Sequence, residues 1–391
     1  MNRLIIAAIL FLAIISGTSR PLLLLSSILI ILISLFRSSQ FAFITKSSKL
    51  NDVNIIFFFA IFIATIFLLP YENIPKFVMV LASCVLSFLV VCNIRFLSRT
   101  SQVRVYTIVL LLITLGDLIQ LFGILGSDMN LYKSFVQFDE LSNYERESEL
   151  AFFSLRYHGW FAEPSYHGAF VGLLCSQIWT YGERLKSLIF ASILFVLCPT
   201  PMMFLSLGIG ILFANQNFWI YIRQRPLQSG ILTIVSITAI VILFFERFSL
   251  IYVSIVGVLD GDTVNTSEAI RLVYPIIALS SHLVSYGILP ESIECIVSTS
   301  CLPESLKFPL VTFVIFFGVG GTVTFVLFVG WLYRENGLRI LSALFIASIL
   351  SGGGGYVLQF GLITALLLIR FPSNISNTLA SDMKKKYVSY Q

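Results

Sequence analysis

The stretch RYHGWFAEPSYHG, residues 156–168, joins a polar segment of roughly forty residues to the next apolar run of the chain. It holds two of the three histidines, together with an arginine, a glutamate and a proline that is well placed to open a helix. Most of the chain on either side is apolar. The stretch therefore marks the boundary between a membrane scaffold and a polar region in which chemistry can take place.

The composition, 57% hydrophobic and 12% charged, is that of a polytopic helical membrane protein rather than a soluble one. We predict an all-α fold in which residues 1–391 form a single membrane domain of about twelve transmembrane helices. The basic residues are scattered over short loops, so no nucleic-acid partner is indicated. The predicted spans are 4–19, 21–36, 54–70, 75–94, 105–126, 166–182, 188–199, 201–215, 228–246, 308–332, 340–352 and 356–370.

Two pairs of these segments are unusually short. The run 188–215 is interrupted at Pro199-Thr200-Pro201, and the run 340–370 is interrupted by the four glycines 352–355. Each half is shorter than the roughly 20 residues that a helix needs to cross the hydrocarbon. Because basic residues flank both sides of each pair, each pair either crosses twice or forms a re-entrant hairpin.

The distribution of charge predicts the orientation. Placing both termini in the cytoplasm puts 17 of the 25 Lys and Arg residues inside, with only four of the 20 acidic residues: Asp52, Glu183, Glu335 and Asp382. This is the asymmetry that the positive-inside rule describes. We therefore expect a multi-pass membrane protein with both termini in the cytoplasm, surrounded by membrane lipids.

Two polar segments fall on the outer side in this arrangement. The first covers residues 127–165 and the second covers residues 247–307. The second contains a stretch from Glu268 to Leu289 that we expect to form an amphipathic helix at the outer interface. It carries Arg271 and His282.

The cysteines are consistent with this layout. Cys295 and Cys301 lie in the second outer segment, where an oxidising compartment would favour a disulfide between them. The other four lie in apolar runs and are expected to behave as small hydrophobes: Cys84, Cys92, Cys175 and Cys198. The sequence has neither an HExxH motif nor paired CxxC motifs, so no metal and no cofactor are expected.

The outer segments supply candidate site residues. An arginine from each, Arg156 and Arg271, together with a helix N-terminus at Pro164, would suit a phosphate group. Glu163 and His167 are four residues apart and would share one helical face. A plainer interpretation is that Glu163-Pro164-Ser165 only caps a span and that Arg156 pairs with Glu163 or with lipid phosphates.

Asp117, near the outer end of the fifth predicted span, allows two interpretations. An intramembrane carboxylate is a functional candidate. The same residue could equally extend toward the surface.

The pattern Arg156-x-x-Gly159-x-Phe161-x-Glu163-Pro164-Ser165-x-x-Gly168, at the end of a polar outer loop, resembles the motif of Wzy-type O-antigen polymerases, a family that shares its architecture with O-antigen ligases. The second large outer loop, with Arg271 and Gly287, is also similar to that family. So is the glycine-rich break near the C-terminus.

The resemblance implies a metal-independent membrane glycosyltransferase. Its donor and acceptor would be undecaprenyl-pyrophosphate-linked oligosaccharide repeat units, joined into O-antigen or a related polysaccharide at the periplasmic face. Arg156 and Arg271 would stabilise the departing pyrophosphate. The catalytic base would be Glu163, His167 or His282, with Glu163 favoured either as the base or as the residue that orients Arg156. A chain-length-regulating co-polymerase is expected as a partner from the resemblance alone.

Three other functions are open. A structural or scaffolding membrane protein would leave the two motif-bearing loops unexplained. An O-antigen ligase would transfer the glycan to lipid A-core, but ligases typically show a His-Asn pair in the second outer loop, and here Leu283 follows His282. A lipid-linked oligosaccharide flippase or other transporter would need charged residues lining a central path. The predicted spans are poor in charge, which disfavours that function.

Overall fold

The computed structural model describes residues 3–15, 27–30, 63, 74–95, 97–125, 161, 164–198, 200–214, 224, 249, 252–253, 256–257, 309–333, 337–351 and 357–368. All regular secondary structure in these residues is helical, which confirms the all-α prediction for this part of the chain. The longer helices are α1 (Arg3–Ile15), α2 (Ile74–Arg95), α3 (Arg99–Leu125), α4 (Pro164–Thr180), α5 (Arg184–Leu197), α6 (Pro201–Ala214), α7 (Pro309–Tyr333), α8 (Gly337–Ser351) and α9 (Val357–Leu368).

Two of the described helices are long and apolar enough to cross a membrane. These are α2, over Phe77–Ile94, and α3, over Arg99–Phe122. A third span is obtained if α7 and α8 count as one bent unit, since Phe317–Tyr333 and Leu338–Leu350 are inclined at 111°. The described part of the chain thus contains two or three helices that could span a bilayer.

The outer surface of the bundle is apolar, as a lipid environment requires. On α3, Leu111, Leu115 and Phe122 are 54%, 50% and 66% exposed. On α5, Leu185 and Val196 are 73% and 80% exposed. Apolar side chains in such numbers on the outside are stable in lipid and unfavourable in water. The protein is therefore embedded in a membrane.

Both predicted breaks are confirmed as helix boundaries. Helix α5 ends at Leu197 and α6 begins at Pro201, where the fixed backbone of proline suits the first helical position. Helix α8 ends at Ser351 and α9 begins at Val357, on either side of the glycines.

Helix α7 differs from the prediction of one continuous span over 308–332. Gly318 interrupts it with φ 63° and ψ −179°, a backbone conformation that favours glycine. The rings of Phe313 and Phe325 consequently lie 5.1 Å apart. In a straight helix, twelve residues would separate them by about 18 Å along the axis. The bend lets both rings pack against Phe360 of α9.

Helices α4 and α6 run parallel and pack through small residues. Gly168 faces Thr200 and Met203, Gly172 faces Met203 and Ser206, and Gly210 faces Ser176. The Ser206 hydroxyl donates a hydrogen bond to the Gly168 carbonyl at 3.2 Å. Because the paired positions advance in the same direction along both helices, α5, which lies between them in sequence, must run in the opposite direction. The segment 184–214 is therefore a helical hairpin.

Helices α3 and α4 run antiparallel. Near the start of α3, the Tyr181 hydroxyl donates to Gln102, and Arg99 donates to the Tyr181 carbonyl. Near the other end of α3, Asp117 contacts His167 in the first turns of α4. We call this second end of the bundle the His167 end.

The opposite end is organised by a buried arginine, and we call it the Arg339 end. Arg339, 4% exposed, donates to the carbonyls of Phe213 and Leu367 at 3.2 and 3.4 Å. These carbonyls belong to the last turns of α6 and α9, where a cation is favourable. At the other end of α9, the Gln359 side chain donates to the Ile14 carbonyl of α1 at 2.8 Å.

The packing of α4 against α6 generates a first prediction. A methyl group on Gly172 would lie 2.0 Å from the Ser206 hydroxyl and 2.2 Å from the Met203 carbonyl oxygen. The backbone atom cannot move aside easily, so Gly172→Ala should cost about 1–3 kcal/mol, as overpacking of a core does. We expect a lower melting temperature for the detergent-purified protein.

Gly208→Ala is the matched control. Gly208 also lies within a helix, but a methyl group added there would enter open space. Alanine at this position should be neutral or stabilising, by up to about 1 kcal/mol from helix propensity. Equal melting temperatures for the two variants would contradict the close packing.

Candidate functional site

A buried ion pair joins α3 and α4 at the His167 end. The His167 Nε2–H donates to Asp117 Oδ2 over 2.8 Å, and both side chains are 0% exposed. A carboxylate in an apolar interior is unfavourable unless a donor pairs with it. The two residues are fifty positions apart in sequence, so the contact fixes the register of one helix against the other.

The inward face of α3 explains why Asp117 is buried. Ile113, Asp117 and Gln120 follow one helical stripe, and all three are buried. The exposed residues Leu111 and Leu115 lie on the other side of the helix. Asp117 does not extend to the surface, so that interpretation of its position is wrong.

Helix α4 presents His167 from its first turns. The helix begins at Pro164, in agreement with the predicted role of this proline. Tyr166 and His167 are both fully buried. His167 therefore enters the bundle immediately after the helix begins.

Aromatic side chains surround the imidazole. The Phe161 ring, 1% exposed, meets the His167 ring edge to face, with 5.2 Å between centroids and 82° between planes. Phe161 also stacks on Phe170 at 6.2 Å. The buried Cys198 thiol, just after α5, is a further ionisable neighbour of the imidazole.

The second polar atom of each partner is also buried: Asp117 Oδ1 and His167 Nδ1. The Cys198 thiol is a hydrogen-bonding neighbour of the imidazole. The pair therefore lies wholly within the packed interior.

The other predicted site residues lie outside the described residues. They are Arg156, Glu163, Arg271, His282, Cys295 and Cys301, and their convergence stays a prediction. The four cysteines predicted in apolar runs are all buried. Among the described residues, no three His, Cys, Asp or Glu side chains group as metal ligands.

The contact between Asp117 and His167 was not predicted from the sequence, although a signal was available. Asp117 lies near the outer end of one predicted span, and His167 opens the next. Consecutive antiparallel spans bring such positions to the same level. The sequence could not show whether the two side chains face each other.

No family model matches the chain, and neither a curated protein nor a solved structure matches it significantly.

The ion pair generates a second prediction. Asp117→Leu leaves His167 buried without its acceptor, and loss of one partner of a buried pair costs about 3–5 kcal/mol. Replacing both partners with apolar residues of similar size, in Asp117→Leu/His167→Met, is often neutral. We expect the single variant to melt at a clearly lower temperature than the double variant in detergent. A double variant that loses as much stability as Asp117→Leu and His167→Met added together would contradict pairing.

Proposed function

We propose that the chain polymerises undecaprenyl-pyrophosphate-linked oligosaccharide repeat units into O-antigen or a related surface polysaccharide. The arrangement we propose has about twelve spans in the bacterial inner membrane, both termini in the cytoplasm, and periplasmic loops at 127–165 and 247–307. The sequence motif that ends at Gly168 is the basis of this proposal.

One structural observation supports it above the others. The motif leads into α4 at the end of the bundle where His167 is held by Asp117. Three residues of the motif stretch, Phe161, His167 and Gly168, make close interhelical or ring contacts there. A catalytic segment has to be held rigidly by its scaffold, and these contacts supply such an attachment.

The proposed reaction is a glycosyl transfer. The bond between the anomeric carbon of the growing chain and its lipid pyrophosphate breaks, and a new glycosidic bond forms to a hydroxyl at the non-reducing end of the incoming unit. The acceptor hydroxyl loses its proton to a base, and undecaprenyl pyrophosphate leaves.

The site residues of the proposal follow the charges in this reaction. Arg156 and Arg271 stabilise the negative charge on the departing pyrophosphate. Glu163, His167 and His282 are the candidates for the base, with Glu163 preferred. No metal ion is required in this scheme.

The buried pair is also compatible with a transport function, because intramembrane carboxylates and histidines occur in proton relays. On α3, however, the next fully buried polar residue on the same helical face as Asp117, toward the Arg339 end, is Tyr106. It lies about 16 Å away along the helix. Val109, Leu110 and Ile113 lie in the interval and are fully buried, and the half-buried Thr114 donates its hydroxyl to the Leu110 carbonyl of its own helix. This apolar interval favours the polymerase over a transporter.

Deletion of the gene separates the proposed function from its rivals. Loss of a polymerase should leave surface lipid A-core capped with a single repeat unit on a gel. Loss of a ligase or a flippase should leave bare core. Normal polymer in the deletion strain would refute all three functions.

The two arginines generate the third prediction. Arg156→Ala and Arg271→Ala should each abolish long chains while the protein inserts in normal amounts, because the leaving group loses its cationic partner. The measurement is the polysaccharide ladder on a gel, with membrane protein measured by immunoblot. Arg156→Lys should retain only part of the activity, since lysine cannot form the bidentate contact.

Arg104→Ala is the matched control for both variants. Arg104 is an exposed arginine of α3 toward the Arg339 end of the bundle. Its removal should leave the ladder unchanged. Full-length polymer in both the Arg156 and Arg271 variants would remove the proposed pyrophosphate role.

A further inference from the structure

We infer that Asp117 and His167 form a positioning pair: they hold the start of α4 in place for catalysis and do not touch the substrate. The inference rests on the proposed function, since it assigns the pair its part in that reaction. It distinguishes His167 from the other two candidates for the base.

Burial is the first argument. A general base must approach the acceptor hydroxyl to about 2.6–3.2 Å. His167 is 0% exposed, and its Nε2 already donates to Asp117. Its Nδ1 is also buried. In the described structure, neither ring nitrogen is open to a sugar hydroxyl.

The second argument is the number of independent attachments at the start of α4. The ion pair ties His167 to α3. The next residue, Gly168, accepts a hydrogen bond from Ser206 of α6 and has no room for a side chain against Thr200. The helix start is thus held from α3 on one side and from α6 on the other.

A third attachment lies on the chain before the helix. Phe161, three residues ahead of Pro164, packs its ring on His167 and on Phe170. The imidazole is therefore the centre of the arrangement, since it contacts the preceding chain through Phe161 and α3 through Asp117. Loss of the hydrogen bond to Asp117 would loosen the attachment of this segment to α3.

These contacts divide the motif by task. Phe161, His167 and Gly168 are buried among helices or packed against them, so they anchor the segment. The residues that meet the substrate must then come from the remaining motif positions and from the second outer segment. Catalytic groups need placement within about 0.5 Å, which depends on such an anchor.

Exchange of the two partners tests the inference. The deletion strain should accumulate its own lipid-linked repeat unit, and this extract is the substrate for the detergent-purified full-length chain. Asp117→Asn and His167→Gln should each lower kcat at least tenfold and change KM by less than threefold. The exchanged variant Asp117→His/His167→Asp should recover at least a third of the wild-type kcat, because it restores an ion pair between the same helices.

Two further measurements distinguish positioning of the catalytic segment from a general loss of structure. Gln177→Leu removes a hydrogen bond from the other end of α4 to the Leu366 carbonyl of α9, and it should leave kcat within threefold of wild type. The pH profile of His167→Gln should keep the wild-type shape, since a group that does not exchange protons with the substrate adds no limb to it. Melting temperatures establish that every variant is folded.

Three results would overturn the inference. One is an exchanged variant that is folded but as slow as the single variants. A second is a changed pH profile for His167→Gln, and a third is full kcat in both single variants. If the exchanged protein does not reach the membrane, the pH profile of His167→Gln decides: an unchanged profile supports positioning, and the loss of a limb overturns it. Failure of the proposed function itself is visible earlier, as a wild-type chain that does not extend the lipid-linked unit.

Discussion

The ion pair between Asp117 and His167 fixes how α3 lies against α4 at the His167 end of the bundle. It is buried in a bundle whose outside is apolar, so neither group can turn to water if the other moves away. The cost of exposing one charge to the apolar interior enforces the register of α3 against α4. The packing of α4 against α6 and the ring contacts of Phe161 hold the same start of α4 from other sides.

The two ends of the bundle are held together by different kinds of polar contact. At the Arg339 end, one guanidinium satisfies carbonyls in the last turns of α6 and α9, which have no partners within their own helices. At the His167 end, a carboxylate and an imidazole connect side chain to side chain. The Arg339 contact links two helix ends through one flexible side chain. The contact between Asp117 and His167 allows only a narrow range of distances between α3 and α4.

The sequence predicted those parts of the fold that have a local cause. Proline cannot continue a helix that precedes it, and a run of four glycines interrupts one, so the breaks before Pro201 and at 352–355 were correctly predicted. The bend at Gly318 was not predicted, because glycines within an apolar run, here 318, 320 and 321, are compatible with a straight membrane helix. Whether the helix bends depends on tertiary packing, such as the contact between Phe313 and Phe360. The Asp117–His167 contact has a similar origin. Spacing along the chain brings the two residues to one level, but the rotation of each helix about its axis is set by tertiary packing.

A buried ion pair is a poor means of gaining stability, since well-packed apolar residues in the same space often do as well or better. The pair instead restricts how far the two helices can slide or rotate against each other. Leucine or phenylalanine side chains at the α3–α4 contact would allow the helices to slide or rotate slightly with little loss of contact area. A hydrogen bond of 2.8 Å between a ring nitrogen and a carboxylate oxygen does not allow this. A scaffold that only had to remain in the membrane would gain little from such a restriction. A scaffold that presents a catalytic segment at the start of α4 gains a fixed position for it, which is the reason for assigning the pair to positioning.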